Sequence, residues 1–207
     1  ICLGGVTAGG GDATNEVDFL LLEAQRRVAT PQPTLSLLYH DKMSEELLLK
    51  AADVIRETGL GQPAFFNNDT FVQRALHDHP GIPLEDARDI AICSCVENVV
   101  TGKGCFRIQG VMSGAKWLEL ALANGKDPLT GAKVGPETGN AETFQSYGEL
   151  HEAVKKQMQY FLPLAIQFTR LGLNYTAELL PVPFQSALTD GCIESGKSLC
   201  EGGAKYN

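Results

Sequence analysis

Basic charge is scarce in this sequence. Its 207 residues carry 17 lysines and arginines against 25 aspartates and glutamates, a net charge of −8. A nucleic-acid footprint is therefore absent, and anionic membrane surfaces would repel the chain. Long apolar runs are missing too. None approaches the roughly 20 residues of a membrane span, and neither nucleic acid nor membrane is an expected partner. Cysteines occur at 2, 93, 95, 105, 192 and 200, but only Cys93 and Cys95 are close. An extended strand accommodates a Cys-x-Cys disulfide poorly, so no secreted disulfide framework is indicated and a reducing cytoplasm is expected. Zinc through Cys93, Cys95 and Cys105 lacks the two spaced pairs of a structural site, and no metal is expected. The chain opens at Ile1-Cys2-Leu3-Gly4-Gly5-Val6, without initiator methionine, basic leader or signal-peptide pattern. It reads as though it starts in mid-strand, and a longer parent chain is expected.

What is present is an ordinary globular composition, 43% hydrophobic and 20% charged, enough for one sizeable core. Within it, Ile90-Ala91-Ile92-Cys93-Ser94-Cys95-Val96-Glu97-Asn98 reads as a buried strand running into a reactive tip. The short apolar run suits a parallel strand covered on both faces. Residues two apart in an extended chain point the same way, roughly 6.5 Å apart at Cα. Cys93, Cys95 and Glu97 would then share a side. A carboxylate beside a thiol disfavours the thiolate, whereas a cysteine nucleophile wants a cation or a helix N-terminus. The nearest basic residues to Cys95 are Arg88 before it and Lys103 after it. Cys95 therefore suits chemistry of the neutral S–H, such as hydrogen-atom transfer, with Glu97 moving a proton beside it. On these residues alone a buried free cysteine and a solvated glutamate are the stronger reading.

Taken in order, residues 1–6 read as a strand and 7–11 as a glycine-rich turn without phosphate-loop spacing. Asp12 is the expected N-cap of a helix to Val28, with Val17, Leu20, Leu21, Ala24 and Val28 as its apolar face. Residues 35–39 read as a second strand. Ser44 caps a helix burying Leu48, Ala51, Val54 and Ile55 and stopped by Gly59. Ala64-Phe65-Phe66 is a third strand, with Asp69 expected to cap 70–77. His77 and His79 read as exposed helix-end residues rather than metal ligands. Pro83 introduces a short helix at 84–88. Strands alternating with helices mark a parallel α/β fold, whose sites gather beyond the carboxyl ends of strands. Further on, 111–124 is expected to be helical with Trp117 in the core, and 125–142 to be a polar loop. Ser146 and Glu149 form a capping box. It opens a long helix with Val154, Met158, Phe161, Ala165 and Phe168 on one face, kinked or interrupted at Pro163. Residues 184–194 read as one short helix. No internal repeat or domain linker is evident.

These segments together resemble the glycyl radical enzyme family, which includes pyruvate formate-lyase and glycerol dehydratase. The resemblance spans nearly the whole chain. It rests on Leu3-Gly4-Gly5-Val6 with Asp12-Ala13-Thr14-Asn15-Glu16, on Pro31-Gln32-Pro33, on Phe65-Phe66-Asn67 and on Leu84-Glu85-Asp86-Ala87-Arg88. It continues through Cys95-Val96-Glu97, Pro181-Val182-Pro183-Phe184 and Glu201-Gly202-Gly203-Ala204-Lys205-Tyr206-Asn207. It implies that residues 1–207 are part of a ten-stranded α/β barrel, two five-stranded halves wrapped by helices. It implies catalytic roles for Cys95, as the thiyl-forming cysteine, and Glu97, as general acid or base. No cofactor is expected within these residues. The glycine loop is expected downstream, with its radical installed by a radical SAM activating enzyme, so the isolated chain should be inactive. A small polar substrate and a full-length homodimer are also implied, in the cytoplasm or alternatively a bacterial microcompartment.

The eliminating members commonly read Gly-Cys-Val-Glu-Pro; Ser94 and Asn98 replace the flanks here. Pyruvate formate-lyase has adjacent cysteines and a serine at the position of Glu97, which argues against acyl transfer. Where glycerol dehydratase has a substrate-binding aspartate, this chain has Gln109. That position is the expected substrate contact, and its change argues against glycerol or propanediol. A radical lyase acting by elimination is therefore the leading reading. The alternatives are acyl transfer, radical decarboxylation, and a non-catalytic thiol or zinc-binding domain.

Overall fold

In the computed structural model, residues 1–105 and 112–206 are described. The chain divides into two units, residues 1–106 with 182–207, and residues 107–181.

The first unit is α/β. Strands β1 (Cys2–Gly4), β2 (Ser36–Tyr39) and β3 (Ala64–Asn67) form a parallel sheet in that order. Leu3 pairs with Leu37, and Leu37 with Phe65. Helices α1 (Glu16–Val28) and α2 (Glu45–Thr58) make the crossovers. Leu3, Leu22, Leu37, Leu47, Ala51 and Val54 close a core between sheet and helices. Ser44 does cap α2, accepting from the Leu47 N–H, and Gly59 ends it in the left-handed region that glycine tolerates. Leu47, Ala51 and Val54 are its buried residues, with Leu48 packed partly against them.

Three local expectations are corrected. Asn15, not Asp12, caps α1: its side chain accepts from the Val17 N–H, and Asp18 accepts from the Asn15 N–H. Asp12 instead accepts from Thr14, His40 and the Ser44 N–H, fastening the glycine-rich turn to the start of α2. The buried face of α1 is Asp18, Leu22 and Gln25, while Val17, Leu20 and Val28 are 55%, 67% and 68% exposed. Two polar residues can occupy that face because both are bonded. Asp18 accepts from the Gly4 N–H, and Gln25 donates to the Thr30 carbonyl. Finally, α3 (Asn68–Asp78) is capped by Asn67, whose side chain accepts from the Thr70 N–H, and not by Asp69.

The second unit holds α5 (Gly114–Leu122) and α6 (Tyr147–Leu179). Trp117 is half-buried in a groove with Phe161 and Leu164. The fully buried Gln157 of α6 pins the 125–142 loop by donating to the Pro136 carbonyl and Thr138 Oγ1. Ser146 caps α6 by accepting from the Glu149 N–H, but Glu149 bonds the Gln145 N–H, so the box is not closed on Ser146. The helix continues through Pro163, and its face is Ala153 and Gln157, with Phe168 exposed. Among the described residues no helix is long and apolar enough to cross a membrane.

Candidate active site

In the first unit, α4 (Leu84–Arg88) starts after Pro83 and delivers the chain into β4 (Ile90–Cys93). The apolar run Ile90-Ala91-Ile92 is expected to be a parallel strand. It pairs instead with β5 (Glu97–Val100) in an antiparallel hairpin, in register Ile90↔Val100, Ala91↔Val99, Ile92↔Asn98 and Cys93↔Glu97. Ser94 turns the chain at φ +56°, closing a three-residue loop over Ser94, Cys95 and Val96. Extended geometry therefore ends at Cys93. Cys93 and Glu97 do share a face, as cross-strand partners. Cys95 stands apart from them at the apex.

The hairpin is rooted by one apolar face. Ile90, Ile92 and Val100 are buried with Leu38, Val72, Ala75, Ile82 and Ala87. The Ile92 N–H donates to Cys2 Sγ at 3.0 Å, joining β4 to β1. The base of the hairpin is held through Asp86, to which the sequence assigns no role of its own. Its nearly buried carboxylate takes Lys103 Nζ at 2.5 Å, Lys205 Nζ at 3.1 Å and the Tyr206 hydroxyl. Lys103, then Tyr206 and Lys205, hold that carboxyl well below the usual range. Two of the resemblance-bearing segments, 84–88 and 201–207, thus meet on one carboxylate. Tyr206 also donates its N–H to the Lys103 carbonyl and packs against His79. His77 is exposed and bonded to Asp78.

At the apex Cys95 is exposed. Its thiol is 3.9 Å from Ser94 Oγ. No lysine, arginine or histidine is bonded to it among the described residues. Glu97 Oε2 accepts from the Cys95 N–H at 3.0 Å and the Val96 N–H at 3.1 Å. The Val96 N–H most of all, with the Glu97 and Cys95 amides and the charge of Arg74, lowers this carboxyl below its ordinary value. Glu97 is thus a carboxylate at neutral pH, able to accept a proton, and its backbone bonds shape the loop that presents the thiol. An exposed thiol without a bonded cation suits loss of a hydrogen atom, the step a radical partner would require. Among the described residues no three His, Cys, Asp or Glu side chains converge as a metal site. Gln109 lies outside the described residues.

A parallel α/β unit with a thiol and a carboxylate on an inserted hairpin defines an α/β protein with a cysteine-loop site. All 207 residues match the family model described as pyruvate formate lyase-like, and the chain belongs to that family. It is 38% identical over 204 residues to the trans-4-hydroxy-L-proline dehydratase of Clostridioides difficile, covering 99% of this chain and 26% of that protein. The crystal structure of hydroxyproline dehydratase from the same organism, with trans-4-hydroxy-L-proline bound, superposes with a TM-score of 0.89 at 38% identity. That match covers 100% of this chain and 26% of the other. The B12-independent glycerol dehydratase of Clostridium butyricum gives 0.82 at 37% identity, covering 100% and 26%. The resemblance to glycyl radical enzymes is thereby confirmed, and the chain spans about a quarter of the length of these relatives.

Proposed function

We propose that this chain is the cysteine-bearing segment of a glycyl radical lyase that dehydrates a small hydroxylated substrate. In the parent protein it would form part of the ten-stranded barrel. The observation that carries the reading is the apex geometry: an exposed Cys95 thiol and an ionised Glu97 bound to the same three-residue loop. A glycyl radical elsewhere in the parent chain, installed by a radical SAM activating enzyme, would supply the first removal of the thiol hydrogen atom. Cys95 sulfur then takes one hydrogen atom from a substrate carbon bearing a hydroxyl. Glu97 accepts that hydroxyl proton, which weakens the bond to the neighbouring leaving group. The group departs with its bonding electrons and the proton, as water in a dehydration. Cys95 returns its hydrogen atom to the product radical, so atoms and electrons balance. The parent is proposed to be a cytoplasmic homodimer, and Gln109 a substrate contact that disfavours glycerol and propanediol.

The test is an anaerobic assay of the activated full-length protein against trans-4-hydroxy-L-proline, vicinal diols, amino alcohols and aryl acetates. Release of water from one of the hydroxylated compounds supports the proposal. Acetyl-coenzyme A and formate from pyruvate and coenzyme A, or carbon dioxide release alone, would overturn it.

A further inference from the structure

Asn98 follows Glu97 on β5 and opposes Ile92 in the hairpin register. Its amide Nδ2 donates to the Phe71 carbonyl of α3 at 3.0 Å. Only the nitrogen end can donate to a carbonyl, so the amide's orientation is fixed. Its Oδ1 is then buried and has no donor among the described residues. One hydrogen bond is gained and one buried acceptor is stranded, and a stranded acceptor costs as much as a hydrogen bond returns, or more. An apolar residue of the same size would serve stability at least as well. The value of an asparagine here lies in where it holds the strand.

The Ile92↔Asn98 rung is clamped on both sides. Ile92 is bonded to Cys2 Sγ of β1, and Asn98 to α3. Beyond that rung the tip is shaped by the Cys93↔Glu97 pair, the two amide bonds of Glu97 and the Ser94 Oγ–Cys95 Sγ contact. We propose that Asn98 is a positioning residue: its tether to α3 fixes the β5 strand and thereby the Glu97 carboxylate and the loop presenting Cys95. The inference rests on the reading of Cys95 and Glu97 as the reacting groups.

The test compares Asn98→Leu with wild type in the activated full-length protein, with Cys95→Ala alongside. Amide exchange at Cys95 and Val96 needs no substrate and should quicken in Asn98→Leu. Melting temperature and radical yield should stay at or above wild type. With the substrate found in the panel assay, kcat should fall about 10- to 100-fold, the scale of a small misplacement of reacting groups, with KM unchanged. Wild-type exchange or wild-type kcat would overturn the inference. A fall in melting temperature matched by the loss of activity would overturn it too, because that is a merely structural role. Turnover by Cys95→Ala would instead refute the site reading on which the inference stands.

Discussion

Replacing Glu97 by glutamine keeps the shape of the hairpin tip and removes its charge. A single oxygen, Oε2, accepts both the Cys95 N–H at 3.0 Å and the Val96 N–H at 3.1 Å. One amide oxygen can take the same two bonds, so the loop survives the substitution. Glutamine has no site to receive a proton at neutral pH. A positioned general acid or base contributes roughly 10²–10⁴-fold to rate, and kcat should fall by that factor. Glu97→Ala removes the acceptor as well, so its Cys95 and Val96 amides should exchange faster than in Glu97→Gln. The pH response separates the two roles further. A carboxyl whose folded value is depressed below 4.5 contributes stability above that value, and loses it as pH falls through the folded value. Protection of the two amides should thus fade in acid for wild type and not for Glu97→Gln. The assay is anaerobic turnover normalised to radical per protomer by electron paramagnetic resonance. Turnover of Glu97→Gln at the wild-type rate would refute the reasoning.

Two further substitutions probe the frame beneath the site. Leu37 is fully buried at the centre of the three-stranded sheet, so Leu37→Ala should destabilise the full-length protein by about 2–5 kcal/mol, read by denaturant titration. Asp86→Asn should lower stability at neutral pH by leaving Lys103 and Lys205 without their carboxylate. The wild-type advantage should be full above the ordinary value of 3.8 and shrink as pH falls below it, because the folded carboxyl is held lower. Denaturant titrations at neutral and acid pH measure this, and an advantage that grows in acid would contradict the assignment.

The sequence declared its order of elements through local chemistry. Ser44 before an acidic first turn and Gly59 at its end marked α2, and the apolar runs at 35–39 and 64–66 marked β2 and β3. Faces were less legible. The periodicity of α1 pointed to Val17, Leu20 and Val28, but Asp18 and Gln25 are buried because backbone groups outside the helix, the Gly4 N–H and the Thr30 carbonyl, satisfy them. The hairpin was hidden for a related reason. Ile90-Ala91-Ile92 fits a parallel strand as well as an antiparallel one, and only the Ser94 turn decides. The adjacent Val99 and Val100 were the available signal for β5. The Asp86 cluster joins residues about 120 apart in the chain, which no local pattern reveals. Cys95 and Glu97 were readable because their chemistry is carried by residue type within one short loop. Their loop geometry was not, since it depends on Glu97 folding back onto the Cys95 and Val96 amides.

Cys95→Ala in the activated full-length protein tests the central claim most directly. Glycyl radical spin and product formation are measured in the same anaerobic sample. The account predicts a wild-type radical signal with no product, since the alanine has no sulfur to carry the hydrogen atom. Product at the wild-type rate from Cys95→Ala would contradict it.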